Sequence, residues 1–188
     1  MKLVLASKSP RRRELLSMLN CNFEVRASEA DESFDKGTPL INVPKILAER
    51  KANATPLYED EVIIGCDTVV IYKDELMGKP KTDEEAKSML TALSGTTHMV
   101  VSGIAVRTNG KIASTSVITY VKFRELEKSE IDAYVDTAHP TDKAGAYGIQ
   151  EMAGAFVEKI DGDFYNVVGL PLCRLCQILK ESFDISLI

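Results

Sequence analysis

One carboxylate stands alone inside an apolar run. Val62-Ile63-Ile64-Gly65-Cys66 precedes Asp67, and Val69-Val70-Ile71 follows Thr68. A lone ionised carboxylate in a buried strand costs several kcal/mol unless it is paired, protonated or bound to a cation. Such a group can hold Mg²⁺ or take a proton from an attacking water. An Asp at an exposed strand end is the alternative, and the apolar residues that follow Thr68 argue against it.

A second reactive stretch lies at the start of the chain. Leu3-Val4-Leu5-Ala6 runs into Ser7, Lys8, Ser9, Pro10 and three arginines, Arg11, Arg12 and Arg13. Proline suits the first turn of a helix, and Ser9 falls at its N-cap, where a side-chain oxygen can accept an early N–H. A helix N-terminus disfavours each cation by a few tenths to about 1 kcal/mol. An anion offsets that cost. Helical N–H groups, the Ser7 and Ser9 hydroxyls and guanidinium forks together suit a polyphosphate. A basic surface helix is the bland alternative.

Other candidates are weaker in isolation. Lys79 sits between Gly78, which permits close approach to a ligand, and Pro80, which restricts the backbone before it. Lys51 lies on an expected helix, where solvated lysines are usual. Glu29, Asp31 and Glu32 form an acidic cluster. It reads either as a solvated loop or, through Glu32, as part of a hard-oxygen site for a divalent cation, Mg²⁺ or Mn²⁺. The stretch Asp142-Lys143-Ala144-Gly145-Ala146-Tyr147-Gly148-Ile149-Gln150 ends in an amide with one acceptor and two donors, which can match a pyrimidine's carbonyl and N–H. A structural loop could look the same.

These residues need elements to position them. Strands are expected at 2–6, 22–26 and 61–72, and helices at 10–19 and 41–54. Lys73-Asp74-Glu75 reads as a turn. Thr82 should cap a helix over 83–93, with Glu85 completing a capping box. Residues 98–107 and 112–124 alternate as strands around Asn109-Gly110, a strong hairpin signal. Ser129 is expected to cap a helix ending near Thr137. Residues 155–160 and 163–168 flank Asp161-Gly162 as a second hairpin, and Pro171 starts a closing helix. The alternation gives an α/β fold with a mixed sheet.

The chain has 188 residues, 45% of them hydrophobic, and suits one large domain or two lobes. Its net charge of −5 argues against a nucleic-acid-binding face, so the basic stretch at residues 8–13 suits a small anion better. No apolar run approaches the roughly 20 residues of a membrane span, and no signal-peptide apolar region follows Lys2, so a cytoplasmic protein is expected. Cys21, Cys66, Cys173 and Cys176 do not form a disulfide framework. Cys173-x-x-Cys176 lacks the second pair a zinc site needs, and the thiols are expected to be buried. His98 and His139 read as structural or surface residues.

Six ordered blocks resemble the Maf family of nucleoside triphosphate pyrophosphatases, first named for septum formation. They are Ser7-x-Ser9-Pro10-Arg11-Arg12-x-Glu14-Leu15-Leu16, Ile64-Gly65-Cys66-Asp67-Thr68-Val69-Val70, Gly78-Lys79-Pro80, Leu93-Ser94-Gly95-Thr96-Thr97-His98, the 142–150 stretch, and Asn166-Val167-Val168-Gly169-Leu170-Pro171. The resemblance covers residues 1–188 as one domain. It implies an elongated mixed sheet with flanking helices, two lobes around an active cleft, similar to the inosine triphosphate pyrophosphatases. It also implies a catalytic base at Asp67 and phosphate contacts at Lys51 and Lys79. Arg11, Thr68 and Gln150 match the branch acting on dTTP and UTP, whereas the 7-methyl-GTP branch differs there. The implied reaction is a metal-dependent conversion of a nucleoside triphosphate to monophosphate and pyrophosphate. A non-catalytic regulator of septum formation is the alternative from another class. Neither nucleic acid nor membrane is an expected partner, and a homodimer is left open.

Overall fold

The computed structural model describes residues 2–19, 21–27 and 29–187. In chain order the elements are β1 (Lys2–Leu5), α1 (Pro10–Ser17), β2 (Phe23–Val25), α2 (Val43–Ala54), β3 (Glu61–Tyr72), β4 (Glu75–Met77), α3 (Asp83–Leu93), β5 (Thr97–Thr108), β6 (Lys111–Phe123), α4 (Lys128–Ala138), β7 (Val157–Asp161), α5 (Phe164–Val168) and α6 (Leu172–Phe183). The fold is α/β with a seven-stranded mixed sheet in the order β2-β1-β3-β5-β6-β7, and β4 pairs with β3. The chain divides into two compact units. One is Met1–Thr68, Ser102–Val117 and Gly169–Ile188, and the other is Val69–Val101 and Ile118–Val168. No helix among the described residues is long and apolar enough to cross a membrane.

In the first unit β1 runs parallel to both β2 and β3, with Leu5 opposite Val25 and Ile64. Both faces of such strands are covered, which is why 3–6 and 62–66 read as unbroken apolar runs. Helix α2 comes very close to the sheet. A Cβ on Gly65 of β3 would stand 2.2 Å from the Ala48 carbonyl oxygen, and one on Gly103 of β5 would stand 2.1 Å from that of Pro44. Ala48, Ala52 and Ala105 continue this small-residue contact with Val4, Ala6 and Ile63. Arg107 of β5 ties down the far end of α2, donating to the carbonyls of Ala52 (3.0 Å), Asn53 (3.2 Å) and Thr55 (3.3 Å). A cation at a helix C-terminus is favoured there, and it satisfies carbonyls that have no partner within the helix.

The second unit packs α3 and α4 over its own core of Leu90, Leu93, Val121, Phe123, Tyr134 and Phe156. His98 is buried in it, edge-on to Phe123 and Tyr147, with Nε2 2.7 Å from the Tyr147 hydroxyl. Burial pushes its imidazole down to about 4, so it is a neutral core residue at neutral pH. His139 instead ends α4 in the left-handed region, at φ 42°.

Several sequence expectations need correction. Residues 164–168 form a helical turn, not a strand. The Asp163 carboxylate accepts from Tyr165 N at 2.8 Å, and fully buried Asn166 donates to the Val100 carbonyl and the Thr119 hydroxyl. Those side-chain bonds replace a strand ladder. Helix α4 is capped by Glu127 in a reciprocal box with Glu130, so Ser129 lies inside the helix. Thr82 caps α3 as expected, but the Glu85 carboxylate accepts from Lys81 N rather than from Thr82 N. Glu75, expected in the 73–75 turn, instead opens the short strand β4, paired with Tyr72; that strand had no distinct signal. Of the cysteines only Cys66 is buried; Cys21 is half-buried, and on α6 Cys173 is exposed and Cys176 half-buried, because the apolar stripe of that helix is carried by Leu172, Leu175, Ile178 and Leu179.

The α2 contact yields a prediction. Gly65→Ala should lower stability by about 1–3 kcal/mol, because the added methyl meets backbone that cannot rotate away. Urea unfolding of the variant checks this, and an unchanged midpoint would contradict the close packing.

Candidate active site

Alternation along β3 sends neighbouring side chains to opposite faces. Gly65 and Asp67 look toward α2, while Cys66 and Thr68 look the other way. The missing side chain at Gly65 lets α2 approach, and one turn of that helix beyond Ala48 carries Lys51 toward Asp67. Lys51 Nζ donates to Asp67 Oδ1 at 2.6 Å and lies 2.8 Å from Glu32 Oε1. Asp67 is buried, at 9% exposure, while the Glu32 side chain is 68% exposed. The cluster therefore runs from the interior to solvent.

Burial works against the Lys51 ammonium. The charge and hydrogen bond of Asp67 and the hydrogen bond of Glu32 outweigh it, and the amine is held above its ordinary range despite the opposing charge of Arg12. The neighbouring Arg50 donates to the carbonyls of Asp31 and Ser33. Arg50 and Lys51 thus hold residues 31–33 against α2.

The other face of β3 meets the start of α1. Pro10 opens the helix, and the Ser9 side chain accepts from Arg12 N at 3.5 Å. The Arg12 guanidinium then donates from Nε to the Gly169 carbonyl (2.9 Å), from one terminal nitrogen to Ser7 Oγ (3.3 Å) and from the other to Thr68 Oγ1 (3.1 Å). Ser7 Oγ also accepts from Ser9 N at 3.2 Å. Thr68 Oγ1 is 2.8 Å from Ser102 Oγ, and the Cys66 thiol reaches the Gly169 carbonyl at 3.0 Å. Gly169 sits at φ 125°, which favours glycine, and its carbonyl also meets Thr68 Oγ1 at 3.4 Å.

Ser7, Ser9, Arg12 and Thr68 are thus brought together, and so are Glu32, Lys51 and Asp67. Arg11 is half-buried on the first turn of α1. Lys79 and Gln150 belong to the second unit, and both are exposed. There the Gly78 carbonyl accepts from Gly145 N at 3.1 Å, which ties the Lys79 segment to the stretch ending in Gln150. Sequence reasoning missed Cys66, Ser102 and Gly169 as partners of this site. Of the three, Cys66 and Gly169 lie inside family blocks, whereas Ser102 carried no signal.

Two carboxylate oxygens converge on one cationic atom, at 2.6 and 2.8 Å. Among the described residues there is no group of three or more His, Cys, Asp or Glu able to hold a metal. Two carboxylates completed by water and substrate phosphates are the donor set that Mg²⁺ uses, so Asp67 and Glu32 fit such an ion.

The family model described as Maf-like protein matches residues 2–182. The chain belongs to the Maf family. Relatives named dTTP/UTP pyrophosphatase match nearly end to end. That of Clostridium novyi is 49% identical over 96% of this chain and 97% of its own length. That of Alkaliphilus metalliredigens is 43% identical over 100% and 99%. That of Aquifex aeolicus is 42% identical over 96% and 95%. Among solved structures, a nucleoside-triphosphatase / dITP/XTP pyrophosphatase of Mycobacterium abscessus overlaps with a TM-score of 0.45 at 17% identity, over 67% of this chain and 76% of that one. In this Maf protein Arg12 spends three of its five donors on the protein itself. Arg12→Lys, which keeps the charge but loses the fork, should therefore cost about 2 kcal/mol of stability. Thermal unfolding of the variant checks this, and wild-type stability would contradict it.

Proposed function

We propose that this chain hydrolyses dTTP and UTP to the monophosphate and pyrophosphate, clearing unwanted or modified pyrimidine triphosphates from the cytoplasm before they are incorporated. The observation that carries the reading is the buried Asp67 carboxylate, held by Lys51 and faced by Glu32. A buried ion pair is weak evidence for a stability role, because well-packed apolar residues often do as well. The substrate class comes from the names of the relatives.

In this reading water adds to the α-phosphorus, its proton passes to Asp67, and the bond to the bridging oxygen breaks as pyrophosphate leaves. Lys51 fixes the orientation of the Asp67 carboxylate. Arg12, with two donors not spent on Gly169, Ser7 and Thr68, supports negative charge on the phosphates together with Ser7, Ser9, Lys51 and Lys79. Asp67 and Glu32 would hold Mg²⁺ or Mn²⁺, which when bound withdraws charge from phosphate oxygens. Arg11, Thr68 and Gln150 set substrate choice, and Gln150 reads the base edge through its amide. Positioning and electrostatics dominate such a reaction, since the protein supplies little covalent chemistry.

Asp67→Asn keeps the side-chain shape but loses charge and basicity. Pyrophosphate release from UTP should fall about 10²- to 10⁴-fold while the variant still folds and shows a cooperative thermal transition. Turnover at the wild-type rate would overturn the assignment.

A further inference from the structure

The second unit holds a buried lysine that the reaction does not use. The Lys143 side chain is 8% exposed. A buried ammonium is costly unless paired. Lys143 Nζ lies 2.8 Å from Asp142 Oδ1 and 3.3 Å from Glu151 Oε2. Its stem passes beneath Gly148, where a Cβ would stand 2.9 Å from Lys143 Cε, 3.2 Å from its Cδ and 3.2 Å from Glu151 Cδ. The lysine therefore threads the loop, with one end at residue 143 and the other clasped to residue 151.

The loop it threads is tightly turned. Gly145 and Ala146 both take positive φ, 69° and 63°. Ala146 N donates to the Lys143 carbonyl at 3.1 Å, and Glu151 N to that of Gly148 at 3.0 Å. A left-handed alanine is unfavourable by roughly 1–2 kcal/mol and persists only where its surroundings hold it. Gln150 is exposed and immediately precedes Glu151, the residue Lys143 grips.

We propose that Lys143 is a positioning residue for base choice: through Glu151 it fixes the register in which the loop presents the Gln150 amide. The proposal rests on the reading of Gln150 as the residue that meets the base. Geometry separates this role from simple stabilisation. Asp142 and Glu151 are 61% and 43% exposed, so water can replace the ammonium at both. An unbranched apolar side chain can fill the space beneath Gly148, and the carboxylates it leaves behind are solvated rather than buried. Such a side chain lacks the directional hold on Glu151.

The test is Lys143→Met, with kcat and KM measured for UTP, dTTP and CTP beside the melting temperature. The variant should stay folded and melt close to the wild-type temperature. Its KM for UTP should rise about tenfold with kcat within about threefold, and the UTP-to-CTP ratio of kcat/KM should fall about tenfold. Glu151→Gln should move the ratio the same way, and the double variant should add little to either change. If Lys143→Met does not fold, Glu151→Gln alone carries the test. An unchanged ratio, or a fall confined to kcat, overturns the proposal. Gln150→Ala keeps the two readings apart. If it leaves the ratio unchanged, Gln150 does not read the base and the Lys143 proposal falls with it. If it lowers the ratio while Lys143→Met and Glu151→Gln do not, only Lys143 has been misassigned.

Discussion

A carboxylate inside the sheet is the constraint around which the first unit is arranged. Asp67 is buried in the middle of a strand whose preceding residues are all buried, so its charge must be answered within a few ångströms. Lys51 answers it from α2, and it reaches only because α2 lies almost on the sheet backbone. That approach needs Gly65 and Gly103, where any Cβ would meet helix carbonyls. Two glycines, three alanines and one ion pair are therefore a single structural statement. The helix is close because the charge must be met, and it can be close because nothing stands in between.

On the opposite face of the same strand, Arg12 has a comparable role. Its guanidinium joins the start of α1 to Thr68 and to the Gly169 carbonyl, and these contacts fix its plane. An arginine with three donors already satisfied has lost most of its rotamer freedom, so the donors that remain are pre-aimed. On the proposed reading, the same bonds that order the unit would reduce the entropy lost on binding an anion. Asp67 and Thr68, adjacent in sequence, connect the two faces.

Local patterns made much of this legible. The 61–72 strand could be read because its apolar run is long and β-branched, and Asp67 stood out because it interrupts that run. Ser9, Pro10 and Thr82 announced their helices through cap chemistry that depends on a few adjacent residues. What could not be read depends on distant partners. Gly169 lies 157 residues from Arg12, and no spacing rule connects them. The strand expected at 163–168 is a helical turn because Asn166 finds Val100 and Thr119, which belong to other strands. Ser129 looked like a cap by type, yet Glu127 and Glu130 formed the box first. Asp67 could be seen to need a cation, while its distance to Lys51 and Glu32 required the fold.

In the proposed reaction Asp67 and the cations around it act on water attacking the α-phosphorus. Turnover of UTP in ¹⁸O-labelled water, with products resolved by ³¹P NMR, tests it most directly. One ¹⁸O should appear in the uridine monophosphate and none in the pyrophosphate. Label in the pyrophosphate, or release of uridine diphosphate and inorganic phosphate, would contradict it.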